Sequence, residues 1–190
     1  MIVVDAADGT VLGNIDLGGV PEQTVADGQG TVYQACAAVG PAPARGTPGA
    51  PAPSGPPAPP DPNAKPPQAF VILSAKDGKI LTRLPLAGNS DGAVFNPATM
   101  EAFSSQGNGT MTIIKEKSAT SFEVVQDLKT WPSNGARTLA FDNKTGRLFA
   151  MASETAPPPP APPGTPPPAG GRGGRGSVIP GSFTIIVIGK

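Results

Sequence analysis

The chain has 190 residues, including 25 glycines and 26 prolines, and its formal net charge is zero. A neutral balance gives no general electrostatic attraction to nucleic acid or to anionic membranes. The lack of histidine excludes imidazole metal ligands, a histidine general base and histidine-ligated haem. The single cysteine, Cys36, excludes an internal disulfide and is interpreted as a small buried hydrophobe.

The sequence repeats a strand, a turn and a second strand. The β-branched runs Ile2–Val4 and Val71–Leu73 are each followed by a short segment that contains Asp-Gly. Asp-Gly supplies the positive φ that tight hairpin loops require, so both copies are predicted to form hairpins. Thr112–Ile114 begins a third copy with a longer turn, and Thr184–Ile188 begins a fourth.

A second hairpin is predicted after each of the first three copies, over residues 22–33, 91–103 and 137–149. Aromatic residues recur at one of its positions: Tyr33, Phe103 and Phe149. The unit is therefore four short strands, repeated after about 41 residues, which is the spacing of a propeller blade. No segment has sustained helical periodicity. We expect an all-β fold, a partial β-propeller of about three four-stranded antiparallel blades with a C-terminal closing strand.

Two Pro-rich stretches interrupt the pattern at equivalent points of the repeat. Pro41–Gln68 holds 12 prolines and Ala156–Pro180 holds 10. Neither has enough large apolar side chains to offset the entropy of ordering it, so both are predicted to be disordered insertions. The predicted organisation is a blade over 1–40, an insertion over 41–68, blades over 69–110 and 111–155, a Pro/Gly-rich loop over 156–180 and a closing strand over 181–190.

Three segments carry a resemblance to a known family: Asp91–Thr99, Gly135–Asp142 and the ending Pro180–Lys190. They are similar to the bacterial YVTN-repeat, YncE-like β-propellers. Members of that family are usually secreted or periplasmic seven-bladed rings, and most have no assigned activity. The resemblance implies a periplasmic or extracellular location, although no signal peptide is visible in this chain. Because only about three blades are present, the chain resembles the C-terminal part of a longer protein or a natural truncation.

An incomplete propeller leaves open sheet faces at both ends. The expected partners are therefore a small ligand, a protein or peptide, a second copy of the chain, or missing N-terminal blades. The strand Phe183–Ile188 could complete a sheet begun by Ile2–Leu17 and so join the two ends of the chain. No apolar run approaches the roughly 18 residues of a membrane span.

Glu22, Asp91 and Arg137 occupy the same place in three predicted blades, at the entry to the strand nearest the axis. In propellers that entry lies at the mouth of the central channel, where ligands commonly bind. A polar ring there could hold a small charged ligand or peptide. The alternative is that these side chains satisfy loop backbone groups and one another.

Arg172 and Arg175 lie in a Gly-rich segment that resembles an RGG-type nucleic-acid-binding sequence. It has no aromatic neighbour for base stacking, so a flexible linker is favoured and nucleic-acid binding is not expected. No phosphate-binding Gly-Lys-Ser motif and no nucleophile elbow occurs. Calcium could bind at one of the turn aspartates Asp27, Asp77, Asp91 and Asp142, but no ligand run of a dedicated site is present. We therefore predict no catalytic residue, metal or cofactor.

The favoured function is a non-catalytic binding or scaffold module. One alternative is a fragment of a propeller enzyme of the lyase, hydrolase or dehydrogenase type. The lack of histidine and of an acid/base cluster on one face argues against it. A second alternative is single-stranded nucleic-acid binding, which would depend on Arg172 and Arg175 and on salt concentration.

Overall fold

The computed structural model describes residues 1–38, 68–132, 135–157 and 177–189. Every regular element in those ranges is a β-strand, and the 13 strands form four antiparallel sheets. The predicted all-β fold, a partial propeller, is confirmed. No helix in the described ranges has the length and apolar character that a membrane-crossing segment needs.

The strands have the following bounds: β1 Ile2–Val4, β2 Val11–Asn14, β3 Gly19–Ala26, β4 Thr31–Ala38, β5 Ala69–Ser74, β6 Ile80–Pro85, β7 Ser90–Asn96, β8 Glu101–Gln106, β9 Thr110–Ser118, β10 Ser121–Lys129, β11 Thr138–Asp142, β12 Arg147–Ala152 and β13 Thr184–Ile188. β1 and β2 form the N-terminal hairpin. The first sheet has the order β3-β4-β5-β6, the second β7-β8-β9-β10, and the third β11-β12-β13. β7 contacts both β3 and β11, so the first strands of the three sheets lie nearest their common axis.

The sheets are offset by one hairpin from the predicted blades 1–40, 69–110 and 111–155. Each hairpin that begins a repeat copy, such as β5–β6 or β9–β10, supplies the last two strands of a sheet. The hairpin after it opens the next sheet. A repeat period fixes the length of a unit but not which strand begins it. The sequence therefore did not determine the phase of the repeat, that is, the strand at which each sheet begins. The pairing of β4 with β5, in which Tyr33 lies opposite Ile72, sets the phase.

Both Pro-rich stretches interrupt the same connection, between the second and third strands of a sheet. One joins β4 to β5 and the other joins β12 to β13, whereas the corresponding link from β8 to β9 takes only residues 107–109. The equivalence of the two insertion points agrees with the sequence analysis. Their predicted disorder concerns residues that lie mostly outside the described ranges.

The C-terminal strand is present, but the expectation that it joins the N-terminal residues is wrong. β13 pairs with β12, where Val187 lies opposite Phe149 and Ile185 opposite Met151. It thereby takes the third position of the third sheet. Ile186 and Ile188 on its other face pack against the small buried residues of β12, and this packing favours the observed pairing.

Apolar clusters between neighbouring sheets form the core. At the first junction, Tyr33 and Phe70 of the first sheet pack against Phe95 and Ile114 of the second. The Tyr33 ring stacks on that of Phe95 with centroids 5.3 Å apart. The second junction contains Phe103, Met111 and Leu148. On the other face of the first sheet, Leu17 packs against Val71 and Leu73, and Met1 and Ile15, which flank the N-terminal hairpin, pack beside them.

Candidate functional site

The structure brings together two of the three predicted channel-mouth residues. Nη1 of Arg137 lies 4.0 Å from Oδ1 of Asp91, and each side chain is 31% exposed. Asp91 is at the start of β7 and Arg137 immediately precedes β11, so the pair bridges the second and third sheets at the axis. Glu22 lies on β3 with an exposed side chain, and in the described part of the chain it forms no ion pair.

Close backbone packing surrounds the Asp91–Arg137 pair. The Ser105 hydroxyl donates a hydrogen bond to the Arg137 carbonyl. A Cβ on Gly92 would lie 3.0 Å from that same carbonyl oxygen, and a Cβ on Gly107 would lie 2.8 Å from Oδ2 of Asp91. Small residues therefore allow the two sheets to approach here. This arrangement fits the interpretation in which the charged residues satisfy each other and the loop.

A second polar group lies at the other end of the strands, around Asp27. Its Oδ1 accepts hydrogen bonds from the backbone N–H groups of Gln29, Gly30 and Thr31, at 2.7, 3.0 and 2.9 Å. Burial by itself raises the pKa of Asp27, but the backbone donors and the side chain of Thr31 together outweigh it, so the pKa lies below the ordinary value. Oδ2 is buried and has no hydrogen-bond partner in the described residues.

Glu116 lies close to this turn from the side of the second sheet. It follows Ile114 by two residues on β9 and therefore shares its inward face. The buried carboxylate accepts a hydrogen bond from the hydroxyl of Tyr33. Burial, followed by this hydrogen bond and the negative charges of Glu116 and Asp27, raises the pKa of Tyr33 far above its ordinary value.

Asp27 and Glu116 line one pocket of about 230 Å³ between the first and second sheets. The turn after β3, the turn between β7 and β8, and the end of the β9–β10 hairpin form its walls. The remaining lining residues are Gln29, Thr31, Met100, Lys117, Ser118 and Ala119. Of these residues only Asp27 was a candidate from the sequence, as one of several turn aspartates. Glu116 could have been identified from the sequence, because it is a charged residue two positions after the core residue Ile114 on the same strand.

An exposed apolar surface covers the outer side of the third sheet. Two cross-strand pairs form this surface: Phe149 with Val187, and Met151 with Ile185. We call this surface the open face. Val187 and Ile185 are each 55% exposed. The N-terminal hairpin also exposes Ile2 and Val4 at the other end of the chain. The described sheets thus end in uncovered apolar side chains on both sides.

The other predictions concern cysteine, metals and arginines. Cys36 is buried, as expected, and burial raises the pKa of its thiol. In the described ranges no group of three or more acidic, cysteine or histidine side chains is placed to hold a metal ion. Arg172 and Arg175 lie outside the described residues.

Comparisons with known proteins give structural likenesses only. No family model matches the chain, and no curated protein matches it. Among solved structures, a chain of "COPII on membranes, outer coat vertex" aligns with a TM-score of 0.47 and 10% identity over 71% of this chain. A chain of "The structure of the COPII coat assembled on membranes" gives the same three values. The alignments span 31% and 17% of those longer chains, and likenesses at this level carry no information on function.

Proposed function

We propose that the chain is a non-catalytic scaffold module of the propeller type. We further propose that it binds other copies of itself through its sheet ends, by which we mean the open face of the third sheet and the exposed side of the N-terminal hairpin. The observation that carries this proposal is the open face of the third sheet. In the first and second sheets, the residue pairs at the equivalent positions are covered by the sheet that follows. Binding rather than catalysis is supported by the lack of histidine in the sequence.

The first pair of the open face has two counterparts within the chain. Phe149 opposite Val187 corresponds to Tyr33 opposite Ile72 in the first sheet and to Phe103 opposite Ile113 in the second, as the strand registers show. Tyr33 and Ile72 are fully buried under the second sheet. Phe103 and Ile113 pack against the third sheet in the same way. Only the last pair has no covering sheet among the described residues.

The second pair repeats this relationship. Met151 opposite Ile185 corresponds to two cross-strand pairs: Ala35 opposite Phe70, and Ser105 opposite Met111. All four of these counterparts are fully buried. At both internal junctions, therefore, the face of the following sheet covers a surface of this kind.

A second copy of the chain offers the complementary surface. The pairing of β1 with β2 shifts register at Val4, just as the pairing of β5 with β6 shifts at Leu73, so Val4 corresponds to Leu73 and Ile2 to Val71. Val71 and Leu73 are covered by Leu17 and by Met1 and Ile15, which flank the hairpin, whereas Ile2 and Val4 are exposed. The open face of one copy can thus receive the N-terminal hairpin of another. Such a head-to-tail contact forms a ring if its rotation closes and a filament if it does not.

We also propose membership of the YVTN-repeat propellers and a periplasmic or extracellular location. The support is the similarity of Asp91–Thr99, Gly135–Asp142 and Pro180–Lys190 to that family's motifs. The four-stranded antiparallel sheets that follow one another along the chain are compatible with it. The encoding reading frame tests both statements: a signal sequence and further blades in it would support them.

The molar mass in solution tests self-association. Light scattering after size exclusion should give at least twice the mass of one chain, and dilution should lower it. Val187→Asp places a charge in the centre of the proposed contact and should return the mass to that of a single chain. Val125→Asp is the matched control, because Val125 is an exposed strand valine on β10, away from both sheet ends. A single-chain mass for the unaltered protein at every concentration, or equal masses for the two variants, contradicts the proposal.

A further inference from the structure

The third sheet has one strand fewer than the first two. In the first sheet β6 pairs with β5, and in the second β10 pairs with β9, so the third strand of each has a neighbour on both sides. β13 is the third strand of the last sheet, and β12 is its one neighbour among the described strands. We call the side of β13 that faces away from β12 the free edge. A strand occupies the equivalent place in both of the other sheets.

The direction of the backbone groups can be read from the first sheet. The N–H of Ser74 donates a hydrogen bond to the carbonyl of Lys79, on the β6 side of β5. The N–H of Ala75 donates to the carbonyl of Gly30, on the β4 side. Because these directions alternate along an antiparallel strand, the N–H and C=O of Ile72, two residues before Ser74, also point toward β6.

The same direction holds for two residues of β13. Val187 corresponds to Ile72 by its register on the second strand of its sheet, so its N–H and C=O point away from β12. Ile185, two residues earlier, shares this direction. The second sheet agrees: the N–H of Glu116 bonds toward β8, so Ile113, the counterpart of Val187, faces β10. The free edge therefore presents backbone donors and acceptors for one more strand.

The free edge carries none of the features that usually protect an exposed strand edge. Natural edge strands are blunted by charged side chains, prolines or bulges. β6 and β10, the outer strands of the complete sheets, contain charged residues and a shift in register, and β6 also contains Pro85. β13 has five β-branched residues and pairs with β12 without a shift. It therefore has the character of an inner strand.

Three outer strands of the chain show which sequence fits beside a strand in this position. Each has two apolar residues, then two polar or small residues, then an apolar residue: Ile80–Leu84, Val124–Leu128 and Val11–Ile15. In each case the shift in register skips the second apolar residue. All three strands run antiparallel to the strand beside them. A fourth strand for the last sheet is therefore expected to have this pattern and this direction.

The described part of the chain has no spare strand of this kind. β6 and β10 belong to complete sheets, and β2 is paired with β1. Pro41–Gln68 and Ala156–Pro180 contain 12 and 10 prolines. Proline has no N–H to donate to a strand ladder, so these stretches do not suit the free edge. The occupant that we favour is therefore a segment of another polypeptide.

We propose that the free edge of β13 binds an extended segment of another protein by β-strand addition. The segment lies antiparallel to β13 and has the five-residue pattern of the outer strands. Val187 and Ile185 exchange backbone hydrogen bonds with it, which provide affinity, while the side-chain pattern provides selectivity. The free edge uses the backbone of β13, whereas the open face uses its side chains, so this proposal does not rest on self-association.

A synthetic peptide with the sequence of Lys79–Leu86 tests the proposal, because it contains the chain's own outer strand β6. The peptide, labelled with a fluorophore at its N-terminus, should bind the full chain saturably in fluorescence anisotropy. Thr82 lies opposite Ile72, so its amide faces the neighbouring strand. N-methylation of that amide should weaken binding by about tenfold or more, because a backbone hydrogen bond is lost and the methyl group lies within the ladder.

N-methylation of the Arg83 amide is the matched control. This amide faces the other side of the strand, because the directions of the backbone groups alternate. The control peptide should therefore bind like the unmethylated one. Equal affinities for the two methylated peptides, or no binding of the unmethylated peptide, overturns the proposal.

Hydrogen exchange of the ¹⁵N-labelled full chain locates the bound peptide. The amides of Ile185 and Val187 should exchange quickly in the free chain and slowly in the complex, whereas those of Ile186 and Ile188, which face β12, should be slow in both. Unchanged exchange at Ile185 and Val187 with the peptide bound contradicts the assignment. If these two amides are already protected in the free chain, the edge is covered without another protein, and the proposal is wrong. Protection that rises with protein concentration would identify a second copy as the occupant.

A substitution in β13 tests the backbone contact from the side of the protein. Val187→Pro removes the N–H that faces the free edge, and proline is tolerated in strands where the N–H points away from the sheet. This variant should bind the peptide at least about tenfold more weakly. Val187→Thr is the matched control, because it keeps both the N–H and a β-branched side chain. Equal affinities for the two variants contradict the proposal, and if Val187→Pro fails to fold, the two methylated peptides decide.

Discussion

The hydroxyl of Tyr33 donates a hydrogen bond to the carboxylate of Glu116 across the junction of the first and second sheets. The Tyr33 ring stacks on Phe95 and meets Phe70 and Phe122 edge-on. One residue therefore anchors both the apolar core of the junction and the polar wall of the adjacent pocket. This makes the ionisation of Tyr33 a direct report on whether the two sheets are packed together.

Tyr33 should resist ionisation as long as the protein stays folded. Burial and the negative charge of Glu116 raise its pKa above the ordinary 10.0. A folded-state pKa above the unfolded value means that the neutral form stabilises the fold, and that this contribution is lost as the pH rises through the folded pKa. Because Tyr33 is the only tyrosine, the near-ultraviolet absorbance of tyrosinate reports on it alone.

We expect almost no tyrosinate signal at pH 10.0 in native buffer and about half-maximal signal at that pH in concentrated urea. Circular dichroism recorded in parallel verifies that the native sample is folded. Half ionisation of the folded chain at pH 10.0 would show that the hydroxyl is open to solvent, contrary to the structure.

Asp27 should make stability depend on pH in the acid range. Its pKa is lowered in the folded state relative to the ordinary 3.8, because backbone N–H donors and the side chain of Thr31 together outweigh the effect of burial. The ionised form therefore stabilises the fold above pH 3.8, and this contribution is lost as the pH falls through the folded pKa. Urea unfolding as a function of pH should show a smaller acid-side loss of stability for Asp27→Asn than for the unaltered chain. Identical pH profiles would exclude this role.

The sequence predicted the strands, the turns and the blade-length repeat, because alternating β-branched residues and Asp-Gly pairs are local signals. The start of each sheet was not predictable from those signals. It depends on long-range pairing, such as Thr31–Cys36 with Ala69–Ser74 across the first insertion. The position of β13 was missed for the same reason, since its partner β12 is separated from it by a long connection.

The candidate sites show the same division. Asp91 and Arg137 could be placed together because they occupy one position of the repeat, and the structure pairs them. Glu116 could not be connected to Asp27 from spacing, because the two residues come from different sheets and only the packing of Tyr33 brings them to one pocket. Sites formed by tertiary packing between repeats leave little trace in the repeat itself.

The close approach of the second and third sheets should make Gly92 intolerant of substitution. A Cβ there would lie 3.0 Å from the Arg137 carbonyl oxygen and 3.3 Å from the Leu139 nitrogen, and backbone atoms cannot easily move aside. Gly92→Ala should lower the free energy of unfolding by about 1–3 kcal/mol. Gly13→Ala is the control, because Gly13 is also in a strand but nothing lies within 4 Å of its added Cβ.

Gly13→Ala should leave stability unchanged or raise it by up to about 1 kcal/mol, since alanine loses less conformational entropy than glycine on folding. Urea unfolding followed by Trp131 fluorescence measures both variants. If Gly92→Ala is as stable as Gly13→Ala, the second and third sheets do not pack as closely as described.

The ion pair between Asp91 and Arg137 should contribute little to stability. Its charged atoms are 4.0 Å apart, both side chains are partly exposed, and solvent and salt screen such pairs. A double-mutant cycle with Asp91→Ala and Arg137→Ala should give a coupling energy below about 1 kcal/mol, and added salt should reduce it further. Lys117 and Glu123 form a more exposed pair that serves as the control cycle. A coupling of several kcal/mol that persists at high salt would instead mean that the pair is desolvated, and the axial end of these sheets would then be a closed junction rather than an accessible mouth.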